Sequence, residues 1–170
     1  MVEIIPYSDL NELLKKDLEK AIQSEFGHIP IVKSIKWATP DWTIILYQGN
    51  EIASFCNIVE RKVSMDDRVF LAAGINNLIT PEKFRGQGMG TVIMKETENF
   101  LFNELKSELG ILLCADNLIP FYERLNWRKV NCPVYFSQPT GTQIWKANTM
   151  LRTMNDLWIP KEMNLNGLPW

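Results

Sequence analysis

Residues 84–94 have the sequence FRGQGMGTVIM, in which three glycines within five positions are followed at once by residues that favour a helix. Glycine has no side chain, so a loop of this composition lets the backbone come close to a ligand. The first N–H groups of a helix lack partners within the helix and point toward an anion bound at its start. The segment therefore predicts an anion-binding loop between a strand and a helix.

Two common phosphate-binding motifs do not fit this segment. A Walker loop ends in Gly-Lys-Ser/Thr, whereas Gly90 is followed by Thr91 and Val92. A dinucleotide fingerprint has its third glycine three positions after the second, whereas Gly86, Gly88 and Gly90 alternate. A tight turn that merely uses glycines remains as the structural alternative.

The composition indicates a single domain over residues 1–170, because 46% hydrophobic residues in a chain of this length suffice for one core. Lys plus Arg number 18 against 20 for Asp plus Glu, a net charge of −2 that provides no field for sequence-independent nucleic-acid binding. The sequence contains neither an apolar run long enough for a membrane span nor a secretion signal at its start. We predict a cytoplasmic protein without a nucleic-acid or membrane partner.

The cysteines and the histidine argue against disulfide and metal chemistry. Cys56, Cys114 and Cys132 are odd in number and widely spaced, which is typical of neither a disulfide framework nor a metal cluster. His28 is the single histidine, so a zinc site or a Ser-His-Asp triad is not expected. No metal is predicted, and Cys114, within an apolar strand, is interpreted as a core residue rather than a nucleophile.

Hydrophobic periodicity places these features on secondary structure. Residues 8–26 predict an amphipathic helix with Asp9 and Glu12 as a capping box, and residues 42–60 predict a hairpin that turns at Gly49 and Asn50. Residues 69–80 predict a buried strand that leads into the glycine loop, and residues 91–109 predict the helix after it. The remaining predictions are strands at 110–115, 127–136 and 142–154, a short helix at 119–127 and an irregular tail at 155–170.

Two ordered motifs resemble the GNAT N-acetyltransferase superfamily. The first is Arg-x-x-Gly-x-Gly at Arg85, Gly88 and Gly90, and the second is DNLIPFYERLNW at residues 116–127. The resemblance covers about residues 42–130. It is loosely nearest the aminoglycoside 2′-N-acetyltransferases, which share the Asp-Trp pair at residues 41–42 and a Gly-x-x-Trp-like ending.

The resemblance implies an α/β (α+β) fold whose mixed, mostly antiparallel sheet of six or seven strands is splayed at its centre, with helices on both faces. It implies transfer of an acetyl group from acetyl-CoA to a primary amine of a small molecule, by direct attack in a ternary complex. A catalytically inactive acyl-CoA-binding or sensor protein is the alternative. A monomer or a homodimer is expected.

The resemblance also assigns roles to residues. Tyr122 would protonate the departing thiolate as general acid, and a backbone N–H near Leu78 would stabilise the oxyanion. The expected acyl-CoA contacts lie on the central strand, in the glycine loop and beside the short helix: Leu78, Ile79, Thr80, Arg85, Gly86, Gln87, Gly88, Met89, Gly90, Thr91, Asn117 and Phe121.

The acceptor side departs from the pattern, because Asn76 stands where the aminoglycoside branch carries a glutamate that takes a proton from the amine. Either Glu60 or Asp116 serves as base, or the acceptor is less basic, or the branch assignment is wrong. Asp116 and Trp170 are assigned to the substrate. For Trp170, a tail folded over the acceptor opening with its carboxylate and a frayed terminus are equally favoured.

Overall fold

The computed structural model describes residues 1–154 and 159–170 and has ten strands and four α-helices in them. A π-helical segment at Phe100–Glu104 extends the third helix. The helices are α1 (Glu12–Phe26), α2 (Pro30–Ser34), α3 (Met89–Asn99) and α4 (Ile119–Glu123). The strands are β1 (Val2–Pro6), β2 (Trp42–Gln48), β3 (Glu51–Met65), β4 (Arg68–Ile79), β5 (Leu109–Cys114), β6 (Arg128–Val130), β7 (Val134–Gln138), β8 (Gly141–Ile144), β9 (Asn148–Thr153) and β10 (Met163–Asn164).

All ten strands belong to one sheet in the order β6-β9-β5-β4-β3-β10-β7-β8, with β2 and then β1 also added to β3. The first half of the long strand β3 pairs with β2 and its end pairs with β10. The pairs β4–β5 and β7–β10 are parallel and the others are antiparallel. The sheet exceeds the predicted six or seven strands because residues 134–144 and 163–164 contribute β7, β8 and β10.

Strands β4 and β5 separate in the middle of the sheet. Their parallel pairing ends at Ile75 and Leu112, although β4 continues to Ile79 and β5 continues to Cys114 in its pairing with β9. A bulge in the β3–β4 ladder lies just beyond this point, with Asn77 at a φ of 53°. Because a bulge bends its strand, β4 turns away from β5 and leaves a gap.

Helix α1 begins later than the sequence pattern predicts. The cap is Asn11, whose Oδ1 accepts a hydrogen bond from the Leu14 N–H at 2.9 Å. Asp9 lies in a preceding 3₁₀ turn, so the predicted capping box with Glu12 is wrong. Asparagine is as good a cap as aspartate, and one satisfied N–H is enough to fix the start.

The two faces of the sheet carry different apolar clusters. Helices α3 and α4 cover one face, called here the α3 face, whose cluster includes Ile75, Met94 and Trp127. The opposite face, called the α1 face, carries two clusters. The α1 cluster lies under α1 and includes Leu18, Ile45, Phe55 and Ile79, and the Trp170 cluster includes Val59, Val63, Phe136, Met163 and Trp170.

The end of the chain packs onto the α1 face. The indole of Trp170 is 2% exposed and lies against Gly74, where a built Cβ would come within 2.0 Å of its Cε2. Its Nε1 donates to the Ile111 carbonyl at 3.3 Å. The ring is therefore not a frayed terminus, and its assignment to the acceptor substrate stays a prediction.

Backbone contacts explain why the tail is ordered where the structure describes it. The Arg61 guanidinium stacks 5.5 Å from the Trp170 ring and donates to the Leu168 carbonyl at 2.6 Å. The Ala38 N–H donates to the Pro169 carbonyl at 2.8 Å. The predicted irregular tail thus contains β10 and a fixed end, while its portion at residues 155–158 lies outside the described residues.

The helices in the described part of the chain were compared with the length and apolarity needed to cross a bilayer, and none of them meets both requirements.

Candidate active site

The gap between β4 and β5 is the centre of the site. Beyond Ile75, the β5-facing edge of β4 pairs with no strand in the described residues. Leu78 packs toward the α3 face, Ile79 is buried in the α1 cluster, and the Thr80 hydroxyl lies 3.0 Å from the Ser54 hydroxyl. Unpaired backbone groups of a strand can pair with an extended ligand, so this edge suits a chain containing amide groups.

The glycine loop lies at the start of α3, immediately after β4. Gly86 has a φ of 73° and Gly88, the N-cap of α3, a φ of 80°. A Cβ built at either position meets nothing within 4 Å, so the backbone conformation requires glycine there while the space beside it is open. The first-turn N–H groups of Met89 and Gly90 lack partners within the helix, as at any helix start. Open space beside unpaired N–H groups suits an anion.

The polar side chains of the loop hold its shape. Arg85 Nε donates to the Thr80 carbonyl at 2.9 Å, and its Nη2 pairs with Glu25 of α1 at 2.8 Å. Gln87 Nε2 donates to the Lys83 carbonyl at 2.7 Å. Because both side chains are engaged within the protein, anion binding would fall to the backbone N–H groups and to the half-buried Thr91 in the first turn of α3.

Helix α4 closes the site from the α3 face. A Cβ built on Gly90 would lie 3.5 Å from the Phe121 ring, so the loop and α4 meet there. Tyr122 is 5% exposed, and its ring packs edge-on against Phe121 at 5.0 Å and Trp127 at 6.4 Å. Asn117 is exposed in the 3₁₀ turn that precedes the helix.

Burial keeps the Tyr122 hydroxyl protonated. It raises the pKa of Tyr122 above the ordinary value, and the neighbouring Cys114 and Cys56 add to the effect. Burial likewise raises the pKa of the Cys114 thiol to about 11, with a further rise from Asp116, and that of Cys56 to about 12. A protonated phenol can donate a proton at neutral pH, whereas protonated thiols are poor nucleophiles.

The elements of this site coincide with a known family. A family model described as an acetyltransferase (GNAT) domain matches residues 18–130, which contain β2 to β5, the glycine loop, α3 and α4. The chain belongs to the GNAT acetyltransferase family. Membership supports acyl-CoA-dependent acetyl transfer in general. No curated protein sequence matches this GNAT chain.

Solved structures agree on the GNAT fold. Escherichia coli ElaA has 16% identity and a TM-score of 0.63 over 89% of this chain and 98% of its own. The E. coli GNAT protein YhbS, solved with CoA, has 10% identity and a TM-score of 0.62 over 98% of this chain and 89% of its own. The E. coli ribosomal-protein-S18-alanine N-acetyltransferase has 17% identity and a TM-score of 0.56 over 93% of this chain and 97% of its own. The predicted fold class is confirmed.

The α1 face of this GNAT domain carries polar residues beside the gap. Asn76 is half-buried and pairs in register with Asn57, which is 2% exposed. The Thr43 hydroxyl lies 2.8 Å from Asn57 Oδ1, and both side chains are buried. The sequence analysis missed Asn57 and Thr43. The available signal was a lone asparagine within an apolar strand, which is costly to bury unless it is hydrogen-bonded.

The two carboxylates proposed as bases lie elsewhere. Glu60 Oε1 accepts a hydrogen bond from the Trp42 indole at 2.7 Å, and alternation along β3 directs it to the α3 face, opposite Asn76. Asp116 Oδ1 accepts from Asn148 Nδ2 at 2.8 Å in the turn after β5. The structure therefore does not bring Glu60 or Asp116 together with Asn76.

Proposed function

We propose that this protein is an acetyl-CoA-dependent N-acetyltransferase that moves an acetyl group to a primary amine of a small molecule by direct attack in a ternary complex. One observation carries the proposal: a glycine loop suited to an anion, an unpaired strand edge and a protonated phenol adjoin one gap in the sheet.

The described residues fit acetyl-CoA as substrate. The pyrophosphate would bind the N–H groups of residues 86–90, because the Arg85 N–H already donates to the Glu82 carbonyl at 3.1 Å. The Thr91 hydroxyl would be a further donor. The amide groups of the pantetheine arm would pair with the backbone of residues 78–80, as an added strand pairs with a sheet edge. Asn117 and Phe121 would flank the arm from the α4 side.

The chemistry needs an oxyanion donor and a proton donor. The amine nitrogen attacks the thioester carbon, the C–N bond forms and the oxygen gains charge that the Leu78 N–H would stabilise. The C–S bond then breaks, the amine proton passes to solvent, and Tyr122 donates its proton to the departing thiolate. The raised pKa of Tyr122 suits it to donate rather than to accept a proton.

Release of free CoA thiol tests the proposal directly. Incubation with acetyl-CoA and a panel of amines should release thiol, and Tyr122→Phe should lower kcat by about 10²-fold while CoA affinity changes little. Tyr135→Phe, on β7, is the matched control and should leave kcat unchanged. Near-normal kcat in Tyr122→Phe would leave the tyrosine as a packing residue.

The pH dependence gives a second measurement on the same variant. The protonated phenol is the active form, so activity through it is lost as pH rises through its pKa in the folded protein. Because that pKa lies above the usual value of about 10, kcat should stay level to at least this pH. A decline centred near pH 8 would assign the proton to another group.

A CoA-binding protein without turnover is the second candidate, and Asn76 in place of a carboxylate favours it. Calorimetry that detects CoA binding, together with the absence of thiol release on every amine, would support this candidate. A protein that does not bind CoA would exclude both.

A further inference from the structure

Side chains from two other elements hold the residues at the end of β4. Ser54 Oγ, on β3, donates to the Ile79 carbonyl at 2.9 Å and lies 3.0 Å from Thr80 Oγ1. Arg85 Nε, in the glycine loop, donates to the Thr80 carbonyl at 2.9 Å, and the Arg85 guanidinium is itself paired with Glu25 of α1. The strand end at which the pantetheine arm would pair is therefore fixed by β3 and by the loop together.

Ser54 continues the contact between β3 and β4 where their main-chain pairing ends. The β3–β4 ladder is irregular between Phe55 and Asn57, and its last pair joins Phe55 to Ile79. Ser54 lies one residue beyond this pair and is fully buried, at 0% exposure. Because a buried hydroxyl is costly unless it is hydrogen-bonded, the two contacts of Ser54 with residues 79 and 80 account for its presence in an apolar strand.

The number of protons determines the direction of these hydrogen bonds. A serine hydroxyl has one proton, and the proton of Ser54 goes to the Ile79 carbonyl, which can only accept. Two hydroxyl oxygens 3.0 Å apart need a proton between them, so Thr80 donates its own proton to Ser54 Oγ. The Thr80 oxygen is then left with lone pairs and without a proton for a ligand. In the described ranges, Thr80 Oγ1 has no other hydrogen bond.

The Thr80 hydroxyl lies near both parts of the expected ligand site. A Cβ built on Gly90 would lie 3.6 Å from Thr80 Oγ1, so this oxygen is close to the first turn of α3 as well as to the edge of β4. Thr80 is half-buried, which leaves it accessible to a ligand. A molecule that binds the glycine loop with an anion and pairs with the backbone of Leu78 has to pass this oxygen. An oxygen without a free proton favours a ligand group that donates, and it does not favour a phosphate oxygen.

We propose that Ser54 is a positioning residue for acetyl-CoA, and that it acts through Thr80 by making the Thr80 hydroxyl an acceptor for an amide N–H of the pantetheine arm. This inference rests on the acetyl-CoA binding of the proposed function. The arm contains amide N–H groups, whereas the pyrophosphate has only acceptor oxygens. Ser54 therefore matches this point of the site to the arm rather than to the phosphate end of the same ligand.

Two ligands test this role: CoA, and 3′-phosphoadenosine 5′-diphosphate, which is CoA without its arm. In calorimetry, Ser54→Ala should weaken CoA binding by about three- to tenfold, the value of one hydrogen bond, and should change the affinity for the nucleotide by less than about twofold. Thr97→Val is the matched control and should weaken neither, because Thr97 is equally buried and its hydroxyl contacts Cys56 Sγ instead. Equal losses for the two ligands, or unchanged CoA affinity, would overturn the inference.

Variants of Thr80 keep the test valid if Ser54→Ala does not fold. Thr80→Val removes the acceptor and should weaken CoA binding by the same factor, whereas Thr80→Ser keeps the hydroxyl and should bind CoA more tightly than Thr80→Val. Equal CoA affinities of these two variants would refute a role for the hydroxyl. In Ser54→Ala/Thr80→Val the two losses should not add, because Ser54 acts through Thr80. Additive losses would refute this route.

Turnover separates this inference from the proposed function. With an amine that the wild-type protein acetylates, Ser54→Ala should raise KM for acetyl-CoA by the same three- to tenfold factor and change KM for the amine by less than about twofold. An equal rise in both KM values would overturn the inference and leave the proposed function intact. A protein that binds CoA but releases no thiol with any amine would instead refute the proposed function, and the calorimetric test of Ser54 would still decide the inference.

Discussion

Two groups of glycines flank the site, and one group is required for its backbone conformation while the other is required for the space that a side chain would fill. Gly86 and Gly88 have positive φ angles and open space beside them, so they supply a backbone conformation. Gly74 and Gly110 have ordinary φ angles, but a Cβ there would lie 2.0 Å from Trp170 and 2.8 Å from Trp127. These strand glycines supply volume for an indole, one on each face of the sheet. The same residue type thus shapes a ligand site in the loop and a protein core in the strands.

The largest effect is expected at Gly74. In Gly74→Ala the new Cβ must displace the fully buried Trp170 ring, so we expect a loss of about 3 kcal/mol in the free energy of unfolding and a fall in Tm of roughly 10 °C. Urea denaturation measures the change in the free energy of unfolding. In the double variant Gly74→Ala/Trp170→Ala the clash is absent, so the two costs should not add. Additive costs would show that the glycine does not serve the indole.

Gly88→Val should act on ligand binding instead. Valine is strained at a φ of 80°, and its side chain would enter the open space beside the loop, so CoA affinity measured by calorimetry should fall by about 10²-fold or more. Gly49→Val is the matched control, because Gly49 has a φ of 61° and open space in the β2–β3 turn. The control should lose similar stability and bind CoA normally. Unchanged affinity in Gly88→Val would remove the anion-binding role of the loop.

Gly110→Ala should cost less than Gly74→Ala, because the contact involves only the edge of the Trp127 ring, at Cη2. We expect about 1–2 kcal/mol by urea denaturation, as for modest overpacking. The shift should also weaken the bond from Trp127 Nε1 to Glu98 Oε1, now 2.8 Å, and change the tryptophan fluorescence. A stability loss equal to that of Gly74→Ala would contradict the difference between the two strand glycines.

Gly90→Ala should have the smallest effect. The new Cβ would lie at ordinary van der Waals distances, 3.5 Å from Phe121 and 3.6 Å from Thr80 Oγ1, and alanine favours the helix more than glycine. The free energy of unfolding should change by less than about 0.5 kcal/mol, and CoA affinity by less than about threefold. A large loss of affinity with unchanged stability would place the ligand against this residue as well.

The local features of the site could be predicted from the sequence. The glycine loop and the segment around Tyr122 are short motifs that can be recognised from the spacing of their residues, and both lie at the gap. The hairpin turn at Gly49 was confirmed for the same reason, since a two-residue turn is specified locally.

The α1 face could not be predicted, because it depends on pairings between distant segments. That Asn57 lies opposite Asn76 depends on the β3–β4 register and its bulge, which leave no local pattern. That Trp170 covers Gly74 depends on β10 lying between β3 and β7. The sequence of the tail contains helix breakers and no periodic pattern, so the buried position of Trp170 could not be distinguished from a frayed terminus.

The insertion of β10 has a consequence for the order in which the domain folds. The Arg61–Leu168 hydrogen bond joins residues 107 positions apart, whereas β3 and β4 meet through a tight turn after Met65. Closing the longer loop costs more chain entropy, by roughly 3 kcal/mol relative to a two-residue turn if the cost grows as (3/2)RT ln n. The hairpin that carries Asn57 and Asn76 can therefore assemble early, while its α1 face stays bare until the last residues dock. An intermediate that exposes Gly74 and the apolar residues around it is the species in which this chain would be most prone to aggregate.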